Sequence, residues 1–600
     1  ANFDNMTALT GSGTNTLTTS ASGAATYTLT SAGTGSLSGD YTATFSSFES
    51  LQGVANDTLV INNSGSNITA ALTDVGVGEI TIGTVTSVSG MDSMTGGSGT
   101  TTLTVSAMTV DLSSHGSGTI TKAGTAGSMG FSSFESLGSI STDNLTASGM
   151  TAASLTDVGT GTLTFAGGTT SINAFDSVTL TGAANSNDAL TVTGLTLSLS
   201  SASSTVNNST VISGFEVLTG GGTDTLRAST VTAATLSSTL AGAMTIGGVG
   251  YSYTSFENTS LTGSAAVNDA LTIDNGLSVS MTGAAVGKLT TGATSFSGFE
   301  SLIGNGTNTL NAGSLSVNLT SAGAGKLAGT TDFSSFGSLT GTGSLTAGGL
   351  SAVTLSDTST GILTGGGTTS ISGFANMTLT GSGSTDTLTV SKAAGLEVFL
   401  SATGNGSVGG SNTKFVSFET LTGSGTGDTL TSSVDATFDL NGTAGSGSAL
   451  GTTFNTFENL KGGGTTDTLT SASNARYALS GAQSGSVSIG GTQMVSYTGI
   501  ESLSGAAAAD TLAGVSKAMS VTLSGNGAGT ATVSSSVVGF SGMETLMGSD
   551  KNDSLNTGSL NLTLDMANGN HQADTTGFSG FETLSGTGSV TANNLTGATL

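Results

Sequence analysis

Apolar and polar residues alternate in short stretches all along this chain. In Leu315-Ser316-Val317-Asn318-Leu319-Thr320 the Leu, Val and Leu point one way and Ser, Asn and Thr the other, which is the period of a half-buried strand. The same alternation runs through Leu195-Thr196-Leu197-Ser198-Leu199-Ser200, Met519-Ser520-Val521-Thr522-Leu523 and Leu560-Asn561-Leu562-Thr563-Leu564. Gly-rich steps such as Ser321-Ala322-Gly323-Ala324-Gly325 and Gly404-Asn405-Gly406 punctuate them. No stretch carries the three-to-four spacing of apolar residues with caps that would predict a helix. The pattern predicts an all-β chain of short strands.

A longer phrase is superimposed on the alternation. A large apolar anchor is followed by an acid, a spacer and Leu, then by Gly-rich residues leading to Asp-Thr-Leu. It reads Phe418-Glu419-Thr420-Leu421 with Asp428-Thr429-Leu430, and Phe457-Glu458-Asn459-Leu460 with Asp467-Thr468-Leu469. The anchors are Phe3, Phe48, Met91, Phe134, Phe175, Phe215, Phe256, Phe299, Phe336, Phe374, Phe418, Phe457, Ile500, Met543 and Phe581, fifteen copies spaced by 37 to 45 residues. A period of this size marks a stacked repeat architecture.

Each repeat divides into two halves. One runs from the anchor through Asp-Thr-Leu, the other from a Val-x-Leu strand through a Gly-x-Gly turn to the next anchor. Each half has the length of one coil of about twenty residues. The expected fold is therefore a parallel β-solenoid (β-helix) of about fifteen ~41-residue repeats with two coils each. At the ~4.8 Å strand spacing that makes a rod on the order of 140 Å long. Residues 1–600 are read as one continuous array. Because the sequence opens and closes inside a repeat, it is expected to be a segment of a longer chain. Equivalent positions of successive coils are expected to stack, Phe on Phe inside, with Ser, Thr and Asn in outward ladders. A second aromatic often lies three residues before the anchor (Phe45, Phe131, Phe296, Phe333, Phe415, Phe454, Phe540, Phe578) and Leu lies three after. Alternation alone cannot bury all three, so a corner is expected at the Ser-Ser or Ser-Gly step and again near the acid.

Composition narrows the class. There is no Pro, as suits backbone engaged in ladders, and no Cys, which removes disulfides and thiolate metal sites. No apolar run approaches the ~20 residues of a membrane-spanning helix, so membrane insertion is not expected. The net charge of −27 reflects only 10 Lys and Arg against 37 acids, and argues against nucleic-acid partners and anionic lipid.

The acids are not scattered. After the anchor come Glu49, Glu135, Glu216, Glu257, Glu300, Glu419, Glu458, Glu501, Glu544 and Glu582, with Asp4, Asp92 and Asp176 in three more copies. Two residues before the Leu of Asp-Thr-Leu stand Asp57, Asp143, Asp188, Asp224, Asp269, Asp386, Asp428, Asp467, Asp510 and Asp553, with Asn15, Asn308 and Asn593 as replacements. Thus 23 of the 37 acids form two columns. Exchange of Asp for Asn points to turn chemistry, in which the side chain bonds local backbone. A column of carboxylates at Gly-rich turns also has the chemistry of a calcium site, and the ten Asp are the candidate ligands. The Glu column reads as a solvated ladder that blocks lateral pairing, exposed or metal-bound.

Gly548-Ser549-Asp550-Lys551-Asn552-Asp553-Ser554-Leu555, Gly53-Val54-Ala55-Asn56-Asp57-Thr58-Leu59 and Gly425-Thr426-Gly427-Asp428-Thr429-Leu430 resemble degenerate RTX-type calcium repeats, whose unit is Gly-Gly-x-Gly-x-Asp-x-apolar-x. In that family adjacent nonapeptides enclose each ion jointly, whereas here the half-site returns once per repeat. The whole chain is similar in style to long repetitive bacterial surface proteins of the haemagglutinin-like and RTX-like kind. That resemblance implies an exported β-solenoid, with calcium as the cofactor it would take.

Enzymatic chemistry finds little support. His115 and His571 are far apart, read here as outward loop residues, and no Ser/His/Asp grouping or long insertion marks a cleft. Gly-x-Gly strings lack the strand–loop–helix context of a phosphate cradle. Thr-x-Thr steps such as Thr387/Thr389 and Thr468/Thr470 recur in too few copies for an ice-binding lattice. The expected role is an extracellular structural protein at the bacterial cell surface, in a filament, surface layer or sheath, with self-association as its main partnership. A stalk of a secreted adhesin with a cell-surface glycan partner is the alternative, and a polysaccharide-processing β-helix is a remoter one.

Overall fold

The computed structural model describes residues 6–594 apart from 21–22, 55, 64–66, 185–186, 266–267, 275, 384 and 482; the anchor Phe3 and Asp4 lie outside these. Among the described residues there is no helix, and short strands follow one another from Ala8–Thr10 to Val590–Asn593. The chain is a β-solenoid. Its strands fall into two compact units, residues 1–279 with 285–303 and residues 280–284 with 304–600. Both are built by the same rule.

Five strands make a repeat. In the second unit one set is Thr420–Gly423 after the anchor Phe418, Thr429–Ser432 carrying Asp-Thr-Leu, Thr437–Leu440, Gly447–Ala449 and Thr452–Asn455. The last three form an antiparallel meander, Phe438 facing Ala449 and Gly447 facing Phe454. Both other strands pair in parallel with strands of neighbouring repeats, and the post-anchor strand also pairs in parallel with the last meander strand of its own repeat. Thr437–Leu440 pairs with the next Asp-Thr-Leu strand, Phe438 beside Leu469. That strand pairs with the post-anchor strand after it, Leu469 beside Leu503, and Leu503 lies beside Phe540 of a pre-anchor strand. The first unit repeats the order: Tyr27 beside Leu59, Leu59 beside Met94, Met94 beside Phe131, then the antiparallel meander of Met129–Ser132, Ser117–Thr121 and Thr109–Ser114.

These pairings sort the strands into two ladders. The chain crosses from one to the other at every step except inside the meander. Two consequences differ from the sequence expectation. One half of each repeat coils, but the other folds back on itself, because the Gly-x-Gly step is a hairpin tip: Gly404 has φ 64° between strands Glu397–Ala402 and Asn405–Val408. Equivalent positions do not stack on one another. Phe454 lies beside Leu421 and Tyr497 beside Leu460, so an aromatic in the last strand of a repeat is flanked by an aliphatic residue in the first strand of the same repeat.

The paired aromatics instead make contact across the corner where one repeat passes into the next. Phe415 and Phe418 meet edge to face at 6.3 Å, and Phe454 and Phe457 at 6.4 Å. The expected corner makes this possible. The residue before the anchor takes a left-handed conformation, with Ser417 at φ 59° and Thr456 at 55°, where other copies place Gly373, Gly499 or Gly542. The reversal turns both aromatics inward, and Phe415, Phe418 and Leu421 are all buried. Outside, hydroxyls bond across strands as expected: Thr58 Oγ1 lies 2.8 Å from Ser93 Oγ and Ser132 Oγ donates to Thr95 Oγ1 at 3.1 Å.

Two placements are corrected. His571 is not an outward loop residue; it lies in the strand His571–Ala573 with its ring 5.6 Å from that of Phe578. Asn593 does not occupy the Asp column, because Val590 takes the Leu position opposite Leu562 and leaves Gly588 there.

Candidate functional site

The two acidic columns lie side by side. Each column Asp sits where a Gly-rich turn enters its strand, and all ten are buried, from 0% to 4% exposed. Burial of a carboxylate is tolerable only with donors around it. Asp467 shows how they are supplied. Its Oδ2 accepts from Gly464 N–H of its own turn at 2.8 Å. Its Oδ1 accepts from Ala436 N–H, 2.7 Å away, at the start of a strand of the preceding repeat. Its own N–H donates to Glu501 Oε2 of the following repeat at 2.8 Å. Glu501 N–H and Ser502 N–H in turn donate to the Asp467 carbonyl at 3.0 and 2.9 Å.

The arrangement recurs. Asp428 accepts from Leu396 N–H and Gly425 N–H and donates to Glu458. Asp510 accepts from Ala475 and Ala507 and donates to Glu544. Asp553 accepts from Met519 and Ser549 and donates to Glu582. Asp224 takes Leu195, Gly221 and Gly222 and gives its N–H to Glu257. Asp57 takes Ala25, Val54 and the Thr19 hydroxyl, and Asp143 takes Met108, Ser141 and the Ser139 hydroxyl; Asp92 and Asp176 stand in for Glu above them. Asp386 and Asp269 bond their own turns through Ser382, Gly383 and Ser264, and donate to Glu419 and Glu300. Where Asp is absent, Asn15 N–H still donates to Glu49, and Thr101 gives both N–H and hydroxyl to Glu135 at 2.7 Å.

Asp188 is the exception. Its N–H lies 3.3 Å from Glu216 Oε2, but its Oδ2 is buried without a hydrogen-bond partner. Burial, and then the neighbouring Glu216 charge, push its carboxyl above the usual range.

This donor set bears directly on the calcium chemistry expected of the ten Asp. A calcium cage needs six to eight oxygens free to converge on one ion. Here the Asp oxygens point at backbone N–H groups, and among the described residues no group of three or more His, Asp or Glu is placed to hold a metal ion. The residues present do not fit that cage.

Two further sets of residues support the columns and escape a reading of the acids alone. A Gly precedes the Asp by four to six residues because the next corner passes against it: a Cβ on Gly462 would lie 2.0 Å from Gly499 O and 2.5 Å from Asp467 Oδ2. A Thr five residues before the anchor forms a third buried column. Its hydroxyl meets the hairpin tip of an earlier repeat, Thr86 with Gly33 N–H, Thr170 with Gly116, Thr452 with Gly404 and Thr576 with Gly527, at 2.6 to 2.8 Å. The same tip accepts the anchor's N–H, as Gly404 O does from Phe418 at 3.0 Å. The recurrence of Thr at that spacing is the sequence signal that would have found it. No protein-family model matches this chain, and no curated protein matches it.

Proposed function

We propose that this chain is an extracellular structural protein of a bacterial surface: a β-solenoid building block of a filament, surface layer or sheath. The observation that supports this most is where the polar chemistry goes. The repeated acids and threonines are directed at the protein's own backbone, and the outer strand faces carry mostly Ser and Thr with few charges. A protein whose recurrent side chains serve its own stacking is suited to bearing load and to self-association. Ladders of backbone hydrogen bonds give stiffness, and the scarcity of Lys and Arg keeps like-charged copies soluble until they assemble.

Electron microscopy of the purified chain, in calcium and in chelator, tests the reading. Uniform fibres or sheets from the chain alone support it. Dispersed single particles in both conditions overturn self-assembly and favour the second reading, a stalk that presents a separate binding domain of an adhesin. Hydrolysis of a surface polysaccharide by the purified chain would overturn both.

A further inference from the structure

We infer that the side chains of the two acidic columns form a latch of one direction that works without a metal ion, in which a column Glu, and in most copies a column Asp, supplies an acceptor to an amide of the repeat before it. The side-chain acceptors run one way, while backbone amides such as Glu501 N–H and Ser502 N–H donate in the other sense to the Asp467 carbonyl. Asp467 Oδ1 reaches back to Ala436 N–H, and Glu501 Oε2 reaches back to Asp467 N–H. The same sense holds one repeat on, where Asp510 takes Ala475 N–H and Glu544 takes Asp510 N–H. In these pairs the column acid lies later in the chain than the amide of the neighbouring repeat that it satisfies.

The asymmetry has a physical consequence. Truncating the column Glu of a following repeat strips an amide of its acceptor while the fold around it stays closed, and an orphaned donor is costly. The backbone bonds from Glu501 and Ser502 N–H to the Asp467 carbonyl do not involve the Glu501 side chain and stay in place when it is truncated. Loss of a column Glu side chain is therefore felt in the repeat before it. The latch also fixes partner choice, because an acid that meets strand backbone one residue out of register finds a carbonyl instead of an N–H.

The test is hydrogen exchange read by mass spectrometry on the full chain and on two variants, Glu501→Ala and Glu501→Gln. In Glu501→Ala the peptide holding the Asp467 amide should exchange about tenfold faster or more. The peptide holding the Asp510 amide, whose acceptor Glu544 is untouched, should keep its protection. Glu501→Gln retains an acceptor oxygen and should recover most of the protection at Asp467. Calcium chloride or a chelator should leave all three patterns unchanged. Equal loss at Asp467 and Asp510 would overturn the direction. A Gln variant as impaired as the Ala variant, or protection that rises with calcium and falls with chelator, would overturn the metal-free latch.

Discussion

Glu501 and Asp467 are 34 residues apart in the chain and joined at 2.8 Å, the carboxylate of one holding the backbone N–H of the other. Asp467 is thereby held at three points at once: by its own turn, by the repeat before and by the repeat after. Its side chain serves its own turn and the repeat before, so its removal should be felt there. Asp467→Ala leaves the Ala436 and Gly464 amides without acceptors and should destabilise by about 2–5 kcal/mol. Asp467→Asn keeps one acceptor oxygen, as Asn308 does at the same position, and should lose less than half of that. Chemical denaturation of the two variants side by side checks the ranking.

Gly462 leaves no room for a side chain. Gly462→Ala drives a methyl group into the carbonyl of Gly499, which cannot retreat without moving the corner before Ile500. A loss of about 1–3 kcal/mol is expected. Gly383→Ala, with nothing within 4 Å of its added carbon, should be close to neutral in the same assay.

The corner predicts a stabilising change. Ser417 sits at φ 59°, a conformation that glycine adopts freely and that other copies fill with glycine. Ser417→Gly should be neutral or raise stability by up to about 1 kcal/mol, and Ser417→Val should lower it, since a β-branched residue tolerates this region poorly. Thermal melts of both variants decide the matter.

Two buried threonines of one column should respond in opposite ways to loss of the hydroxyl. Thr452 Oγ1 accepts from Gly404 N–H at 2.6 Å, so Thr452→Val orphans a donor and should cost about 1–3 kcal/mol. Thr369 Oγ1 is buried with no partner, so Thr369→Val removes an unsatisfied group and should be neutral or stabilising.

Asp188 gives a pH signature. Its carboxyl is raised by burial and by Glu216, so the folded state holds this proton more tightly than the unfolded chain. Stability is then penalised at neutral pH, and the penalty is relieved as pH falls through the raised value toward the ordinary carboxylate range. Asp188→Asn should melt higher than the parent at pH 7, and the gap should close in acid. A gap that widened in acid would reverse the sign of the shift.

Much of the fold was legible because it is local. The alternation in Val317-Asn318-Leu319 reports which face is buried without knowing the neighbours. The need to bury Phe415, Phe418 and Leu421 together demands a reversal, and Ser417 supplies it. Partner choice was not legible. Whether Phe454 lies over another Phe or over Leu421 depends on which strands are brought level, and that is decided by contacts far apart in sequence. Gly404-Asn405-Gly406 was read as a coil turn although it closes a hairpin, since both need the same permissive backbone. The acidic column was half legible for the same reason. The bond from Gly464 to Asp467 is a local turn that Asp and Asn exchange foretells, whereas the bond from Ala436 crosses between repeats.

The alternation of the meander between ladders has a genetic corollary. The meander strand Thr437–Leu440 belongs to the ladder of Leu469 and Leu503, while Ala475–Gly481 of the next repeat belongs to the ladder of Leu460 and Leu512. Odd and even copies therefore display their hairpins on opposite ladders. Unequal recombination that deletes a single copy transfers every later hairpin to the other ladder, while loss or gain of copies in twos leaves each where it was. Two outer faces with different surface chemistry can persist in such a gene only if its copy number drifts by even steps.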